Sequence, residues 1–162
     1  MLTQERLKEV LDYDPETGHF TARITRSNLL RGARTGHKNK GVSRYILIRV
    51  DGRSYFAHKL AWFYMYGRWP PAQLDHINLV TFDNRISNLR EATRTQNCAN
   101  CPKPRNNKSG KKGVHFAKHT GKWRARISKA RIHLGYFATA EEAHAAYIAA
   151  ALALHGEFAR AE

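Results

Sequence analysis

The sequence is short of cysteine, of acidic residues and of long apolar runs, and each shortage excludes a class of protein. Its two cysteines, Cys98 and Cys101, are too few and too close together to cross-link a secreted fold, which favours a reducing compartment. No apolar stretch approaches the roughly 20 residues that span a bilayer, and the N-terminus MLTQERLKEV is charged where a signal peptide is apolar. We therefore expect a soluble, cytoplasmic protein with no membrane-spanning segment.

The shortage of acidic residues leaves a large excess of positive charge. Among 162 residues, 28 are Lys or Arg and 13 are Asp or Glu, which gives a net charge of +15 at neutral pH. Such an excess indicates a polyanionic partner. Nucleic acid is the leading candidate, and an anionic membrane surface is the second.

The N-terminal part has the patterns of short helices and strands. Residues 3–11 have helical spacing, residues 19–24 alternate like a strand, and the Gly-, Lys- and Arg-rich residues 27–41 lack a period and predict a basic loop. The Asp51-Gly52 pair separates two apolar runs, which predicts a two-residue hairpin turn. The loop is either a solvated segment or a clamp for phosphates.

An aromatic segment, residues 57–67, follows the predicted hairpin. Its large side chains recur at helical spacing, and Gly67 with the two prolines after it predicts the end of a helix. The aromatic side chains form either part of the core or a platform on which bases stack. The helical spacing favours the core.

The domain organisation follows from a change of composition after this part. Residues 101–113 combine Pro, Gly, Asn and Lys without apolar periodicity, so they do not bury enough surface to fold alone. We predict a domain over residues 1–100, a basic linker over 101–112 and a second domain over 113–162. Both domains are basic, so both are suited to the same polyanion.

Three strand-like runs and an alanine-rich helix make up the predicted second domain. Apolar residues alternate with basic ones along the second and third runs, and the helix over 139–155 begins with a capping box from Thr139 to Glu142. We expect this helix to cover the apolar face of a sheet, although a role in dimerisation is an alternative. The opposite face either is merely solvated or binds DNA, and we favour DNA binding by Lys122, Arg124, Arg126, Arg131 and His133.

The stretch LDHINLVTFDNRISNLREATRTQN has the residue types of a phosphodiester-hydrolysing site. Such hydrolysis requires a base to activate water and a cation to offset charge on the phosphate. His76 is able to accept a proton near neutral pH, and Asp75 offers a hard anionic oxygen for a lightly ligated Mg²⁺. Asparagines downstream add oxygen ligands without the negative charge that would repel a DNA backbone.

The wider segment AHKLAWFYMYGRWPPAQLDHINLVTFDNRISNLREATRTQN resembles the HNH endonucleases of the phage homing type, whose nuclease centre is a ββα-metal fold. The match is to the Asp-His pair, to Asn-Leu-Arg twelve residues after the His, and to an Asn twenty-one residues after it. The resemblance implies that His76 is the general base and that Asn88 orients it. Asp75 and Asn97 would hold a single Mg²⁺, or another divalent cation such as Mn²⁺. His58 also matches a recurrent family position, and we interpret it as structural.

The C-terminal sequence resembles the ethylene-response-factor type of DNA-binding domain, through GVHFAKHTGKWRARI, RIHLGYFATAEEAHAAY and LHGEFA. In that family a three-stranded sheet enters the major groove, and the domain accompanies HNH modules in phage endonucleases. Together the two resemblances imply an α+β protein in which a ββα-metal nuclease domain precedes a three-stranded antiparallel sheet packed on one helix.

The function that these resemblances imply is metal-dependent nicking of double-stranded DNA. They imply a phage- or prophage-encoded protein in the host cytoplasm that needs no small-molecule cofactor, and a monomer is favoured. The alternative is a non-catalytic DNA-binding protein with a decayed HNH centre.

Two departures from the family patterns bear on that alternative. Residues Leu79-Val80-Thr81 stand where the nuclease family has a Gly-containing turn, which removes the residue that most readily takes a positive φ. The link Ser128-Lys129-Ala130 is shorter than the usual turn between the second and third strands.

Two smaller signals have alternative interpretations. Asn84 belongs either to the hydrolytic site or, as we favour, only to a turn. Cys98 and Cys101 have the spacing of half a zinc site, but the sequence has no second cysteine pair to complete it, so we do not favour zinc.

Overall fold

The computed structural model describes residues 1–25, 29–38, 44–127 and 132–160, and the chain forms two compact units, Met1–Ala92 and Thr93–Glu162. The helix Arg94–Asn100, which we expected at the end of the first domain, packs within the second unit against its C-terminal helix. Among the described residues, no helix is both long and apolar enough to cross a membrane.

The described residues of unit 1 form two helices and eight strands. In chain order the elements are α1 (Gln4–Val10), β1 (Leu11–Asp14), β2 (His19–Ala22), β3 (Arg34–Thr35), β4 (His37–Lys38), β5 (Ile46–Val50), β6 (Arg53–Phe56), α2 (Ala57–Tyr66), β7 (Gln73–His76) and β8 (Leu89–Ala92). A 3₁₀ turn, Ile86–Asn88, immediately precedes β8. The strands pair antiparallel as β1-β2-β3, β4-β5-β6 and β7-β8.

Local sequence signals account for most of these elements. Thr3 caps α1 by accepting a hydrogen bond from the backbone N–H of Arg6. The predicted hairpin turn is confirmed between β5 and β6, where Asp51 has a φ of 45° and Gly52 a φ of 81°. The predicted aromatic helix is also confirmed as α2, and it ends at Gly67.

The basic run 27–41 differs from the loop that we predicted. Within it, β3 pairs with β2 and β4 pairs with β5. These two-residue strands are held by backbone hydrogen bonds at sheet edges, which need no apolar period in the sequence. The rest of the run falls partly on residues 26–28 and 39–43, which lie outside the described ranges.

The core of unit 1 is built around α2. Its fully buried side chains include Leu7, Phe20, Ile48 and Leu60, contributed by both helices and two of the sheets. The aromatic segment belongs to this core, since Trp62 and Phe63 are buried, and Trp69 stacks on Phe63 with ring centroids 4.3 Å apart. Tyr66 is exposed at the end of α2 but its ring contacts Trp62.

Unit 2 is a three-stranded antiparallel sheet packed on a long helix, as predicted. Its elements are α3 (Arg94–Asn100), β9 (Val114–Ala117), β10 (Lys122–Ile127), β11 (Ile132–Phe137), α4 (Ala140–His155) and a 3₁₀ turn, Gly156–Phe158. The strand order is β11-β10-β9. The predicted capping box of Thr139 and Glu142 starts α4, which covers one face of the sheet with Ala143, Tyr147 and Ala151.

The segment before β9 is tied together by side-chain hydrogen bonds. The Ser109 hydroxyl lies 2.9 Å from Asn107 Oδ1 and from the Lys111 carbonyl, and 2.7 Å from the Val114 carbonyl. It also accepts a hydrogen bond from the Lys111 N–H. These bonds take the place of an apolar core in a stretch whose composition lacks one.

We predict that Gly113→Ala destabilises unit 2. A Cβ at Gly113 would lie 2.1 Å from Cδ2 of the Tyr147 ring, so the sheet and α4 would have to separate. Strain of this kind typically costs about 1–3 kcal/mol, in addition to roughly 1–2 kcal/mol for an L-residue in the left-handed region.

Gly121→Ala is the matched control for this change. Gly121 also has a positive φ, 65° against 75° for Gly113, but a Cβ there meets nothing within 4 Å. Urea unfolding of the full chain should show the larger loss for Gly113→Ala. Equal losses would show that the contact with Tyr147 is unimportant.

Candidate functional site

The hairpin of β7 and β8 positions the Asp-His pair. Its register places Asp75 opposite Arg90 and His76 opposite Leu89. Both side chains are buried, with Asp75 3 % and His76 4 % exposed. Buried polar groups of this kind require hydrogen-bonding partners, so their neighbours determine what each can do.

Asp75 is ion-paired with Arg90. The Nε and Nη2 atoms of Arg90 each lie 2.9 Å from Asp75 Oδ2. The cross-strand register brings the two residues together, and the arginine side chain is itself mostly buried. Through these contacts Arg90 holds the Asp75 carboxylate in one orientation. Loss of either residue would leave an uncompensated buried charge.

His76 lies among an amide and aromatic rings. Its Nε2 atom is 3.4 Å from Oδ1 of Asn84. Its ring centroid is 5.3 Å from that of His58 and 5.9 Å from that of Tyr45. Burial lowers the pKa of His76 below its usual 6.5, and the contact with Asn84 opposes that shift in part. The imidazole is therefore neutral at pH 7 and able to accept a proton.

His58 has the environment of a structural residue. Its ring packs against Tyr45 at 4.8 Å and stacks on Phe56 at 5.5 Å. Burial, followed by the nearness of His76 and Lys59, lowers the pKa of His58 to about 3. A neutral ring held this way supports His76 by packing.

The loop between β7 and β8 is closed by a pair of asparagines. Asn88 Oδ1 accepts a hydrogen bond from the Asn78 N–H at 3.0 Å, and Asn88 Nδ2 donates to Asn78 Oδ1 at 3.0 Å and to the Asp83 carbonyl at 2.8 Å. These hydrogen bonds join Asn88 to the loop and not to the His76 ring, and its role in orienting His76 stays a prediction. Asn88 lies in the 3₁₀ turn that ends the loop, where its carboxamide meets the start of the loop.

Asn84, for which we favoured only a turn role, lies against His76 instead. It is 2 % exposed, among the most buried polar residues of the described ranges. Sequence offers one weak signal for it, which is the excess of asparagine in the loop. Only the folded loop shows which asparagine turns inwards.

The turn that lacks the family's glycine keeps the backbone conformation that glycine favours. Leu79 has a φ of 64°, and its N–H donates to the His76 carbonyl at 2.9 Å. The Val80 N–H donates to Asn78 Oδ1 at 2.8 Å. The loop therefore forms the tight turn after His76 with leucine in the left-handed region.

The second predicted metal ligand, Asn97, lies on α3 in unit 2. Thr93 and Gln96 form a capping box at the start of this helix, and the Asn97 N–H donates to the Thr93 carbonyl at 2.9 Å. Its role beside Asp75 stays a prediction. Cys98 and Cys101 follow on the same helix end as reduced thiols, and Cys101 Sγ contacts the Asn97 carbonyl. Across the described ranges, no group of three or more His, Cys, Asp or Glu residues is placed to hold a metal ion.

The sheet of unit 2 presents its basic residues on the face away from α4. Arg124 lies opposite His115 on β9 and Tyr136 on β11, and Arg126 lies opposite His133. Burial, and then the nearby positive charges of Arg126 and Arg124, lower the pKa of His115. Lys122 is exposed at the start of the strand. Arg131 lies outside the described residues, as does the Ser128-Lys129-Ala130 link.

A β-bulge aligns this face. Between Ala125 and Arg126 the register shifts, and Leu134 is the extra residue on β11. Without the shift Arg126 would lie opposite Leu134, whereas with it Arg126 meets His133 and Leu134 packs into the core. Ile132 departs in part from the expected alternation of apolar buried and basic exposed residues. It is the first residue of β11 and is 39 % exposed.

One unit thus carries a buried Asp-His pair and the other a basic sheet face. Residues 55–99 match the family model described as HNH endonuclease, and residues 109–157 match the model described as AP2 domain. The chain thus contains an HNH endonuclease domain followed by an AP2 domain, which supports a nuclease and DNA-binding role. No curated protein and no solved structure matches the chain significantly.

We predict that Leu79→Gly stabilises unit 1. The left-handed conformation costs an L-residue roughly 1–2 kcal/mol, and the greater entropy of an unfolded glycine offsets about 0.4–1 kcal/mol of the relief. The expected net gain is about 0.5–1 kcal/mol in the free energy of unfolding.

Val80→Gly is the control, since Val80 is the next residue and its φ is not positive. It should lower the stability by about 0.5–1 kcal/mol. Urea midpoints that move the same way for both variants would contradict the strain assigned to Leu79.

Proposed function

We propose that the protein is a divalent-metal-dependent endonuclease of the homing type that nicks double-stranded DNA. The HNH domain cuts, and the AP2 domain positions it on the duplex. The observation that carries this proposal is the buried Asp75-His76 pair on β7, inside the segment that matches the HNH endonuclease model.

His76 is the proposed general base. It is neutral at pH 7, is packed by the His58 and Tyr45 rings, and lies at the end of a paired strand. A rigid, neutral imidazole is suited to take a proton from the attacking water. The turn after His76 keeps a left-handed backbone conformation at Leu79, which favours a working centre over a decayed one.

A divalent cation fits the chemistry of the proposed ligands. Asp75 supplies a carboxylate oxygen and Asn97 a carboxamide oxygen, and hard oxygen donors are those that Mg²⁺ and Mn²⁺ prefer. When bound, the ion would offset negative charge on the phosphate and the leaving oxygen. The Nε and Nη2 atoms of Arg90 contact Oδ2 of Asp75, which holds the carboxylate in one orientation.

The outer sheet face is the proposed DNA-binding surface. Its described basic residues are Lys122, Arg124, Arg126 and His133, to which the sequence adds Arg131. Three antiparallel strands with cations on one face are suited to a groove of DNA, because arginine can pair with a guanine edge or a phosphate. A monomer with no small-molecule cofactor suffices for a single nick.

We predict that His76→Ala abolishes metal-dependent nicking and leaves DNA affinity nearly unchanged. The variant loses the base but none of the basic sheet face. Conversion of supercoiled plasmid to open circle, with Mg²⁺, with Mn²⁺ and with a chelator, measures the activity.

His144→Ala is the control, since His144 lies on α4 in unit 2 and is not part of the proposed DNA-binding face. It should nick like the wild type. If the wild type binds plasmid but leaves it supercoiled with every metal, the non-catalytic DNA-binding alternative is correct.

We predict that Arg124→Ala and Arg126→Ala each weaken DNA binding and reduce its salt dependence. Loss of one phosphate contact should lower the slope of log K against log salt by about 0.9. Loss of a guanine contact should instead cost about 1–3 kcal/mol of discrimination between sequences.

Lys111→Ala removes one charge from the same unit and serves as the control. Lys111 Nζ lies 3.4 Å from the carboxylate of Glu141 on α4, so it belongs to a different surface. Fluorescence anisotropy at several salt concentrations compares the three variants. Equal behaviour of all three would show that the outer sheet face is not the DNA surface.

A further inference from the structure

We propose that Asn84 is the positioning residue of His76, and that the turn between β1 and β2 holds Asn84 in place. The inference rests on the proposed function, since it assigns a partner to the proposed general base. It gives the N-terminal sheet, which lies outside the matched residues 55–99, a part in the nuclease site.

The first step is the contact between the two side chains. Asn84 Oδ1 lies 3.4 Å from His76 Nε2, and both side chains are buried. A carboxamide oxygen only accepts hydrogen bonds, so His76 Nε2 is the donor. This selects the neutral tautomer with the proton on Nε2, in which Nδ1 is the ring nitrogen that is able to accept a proton.

The second step is that the charged neighbours of Asn84 are paired with each other. Asp83 and Arg85 form an ion pair with each other, with Arg85 Nη2 2.6 Å from Asp83 Oδ2. Asp83 also accepts a hydrogen bond from Asn78 Nδ2 at 2.6 Å. The loop therefore pairs its charged residues with each other and places the uncharged Asn84 against the imidazole.

The third step is that the N-terminal sheet and its β1-β2 turn bind the backbone near Asn84. The Tyr13 hydroxyl at the end of β1 donates to the Asn84 carbonyl at 2.7 Å, in a buried position. The Ile86 N–H donates to the Pro15 carbonyl at 3.2 Å. The Tyr13 hydroxyl and the Pro15 carbonyl thus hold the chain at Asn84 and at Ile86.

Gly18 lies in close contact with the same stretch of backbone. A Cβ at Gly18 would lie 2.4 Å from the Arg85 nitrogen and 2.5 Å from the Asn84 carbonyl carbon. The β1-β2 turn therefore lies directly on the peptide bond between Asn84 and Arg85. A displacement of the turn would move Asn84, and with it the partner of His76.

The tautomer of His76 distinguishes a positioning residue from a merely structural one. Long-range proton–nitrogen NMR spectra of the full chain at fixed pH show which ring nitrogen carries the proton, and a His76→Gln variant assigns the signals. We expect the Nε2 tautomer in the wild type and in Asn84→Asp, which keeps an acceptor oxygen. We expect its loss in Asn84→Ala, together with a fall in nicking rate of about 10–100-fold, the scale for groups that orient a catalytic side chain.

Asn88→Ala is the matched comparison, since Asn88 is a buried asparagine of the same loop. It should lower stability but leave the tautomer of His76 unchanged. If Asn88→Ala changes the tautomer and Asn84→Ala does not, the proposal is wrong.

Tyr13→Phe tests whether the N-terminal sheet holds Asn84, and it alters neither Asn84 nor His76. It also tests the proposal if Asn84→Ala does not fold. It removes the hydroxyl bound to the Asn84 carbonyl but keeps the ring. Tyr64→Phe is its control, because the Tyr64 ring lies 5.6 Å from that of Tyr13 while its hydroxyl is bonded to Asp12. We expect Tyr13→Phe alone to broaden or shift the His76 signals, and identical spectra for both variants would overturn the role of the turn.

The two proposals fail separately. A wild type that shows no cleavage, but whose His76 tautomer depends on Asn84, would refute the nuclease function and keep the positioning. Cleavage with a tautomer that is the same in every folded variant would refute the positioning and keep the nuclease.

Discussion

The burial of Asp75 and His76 at the end of β7 is the constraint on which the rest of unit 1 depends. A buried carboxylate and a buried imidazole both lose water, so each needs a partner supplied by the fold. Arg90 on the paired strand supplies the first, and Asn84 in the loop supplies the second. The hairpin and its loop have the shape that brings these two partners to adjacent residues.

The same constraint explains why the loop is rich in asparagine. A carboxamide both donates and accepts, so Asn78 and Asn88 satisfy each other and the nearby backbone without adding charge. Carboxylates at these positions would place several negative charges close to Asp75 and to an incoming phosphate backbone. The loop is therefore closed by uncharged carboxamides, and its carboxylate, Asp83, is ion-paired with Arg85.

Sequence predicted the elements whose signals are local. The helix within residues 3–11, the Asp51-Gly52 turn, the end of α2 and the capping box of Thr139 each depend on a few neighbouring residues, and all four are found. The short strands β3 and β4 depend on distant partners, and no local pattern indicates them.

Within the site, sequence identified the Asp-His pair but not the partners of its residues. The spacing of asparagines does not show which one turns inwards, because that choice is made by Tyr13 and Gly18, about seventy residues away. The shift that brings His133 opposite Arg126 likewise depends on the bulge at Leu134, which alternation alone would not place.

The two units place their functional residues in opposite environments, for a physical reason. A general base works best when its orientation is fixed and its proton affinity is set by burial, which is the environment of the proposed base His76. A surface that must meet a polyanion of varied sequence works through exposed cations with long side chains, as on β10. In the unit that carries His76, strain at Leu79 is tolerable because a closed network of hydrogen bonds surrounds the turn. The basic sheet face needs no such network, since its apolar side, packed on α4, already fixes the backbone that carries the charges.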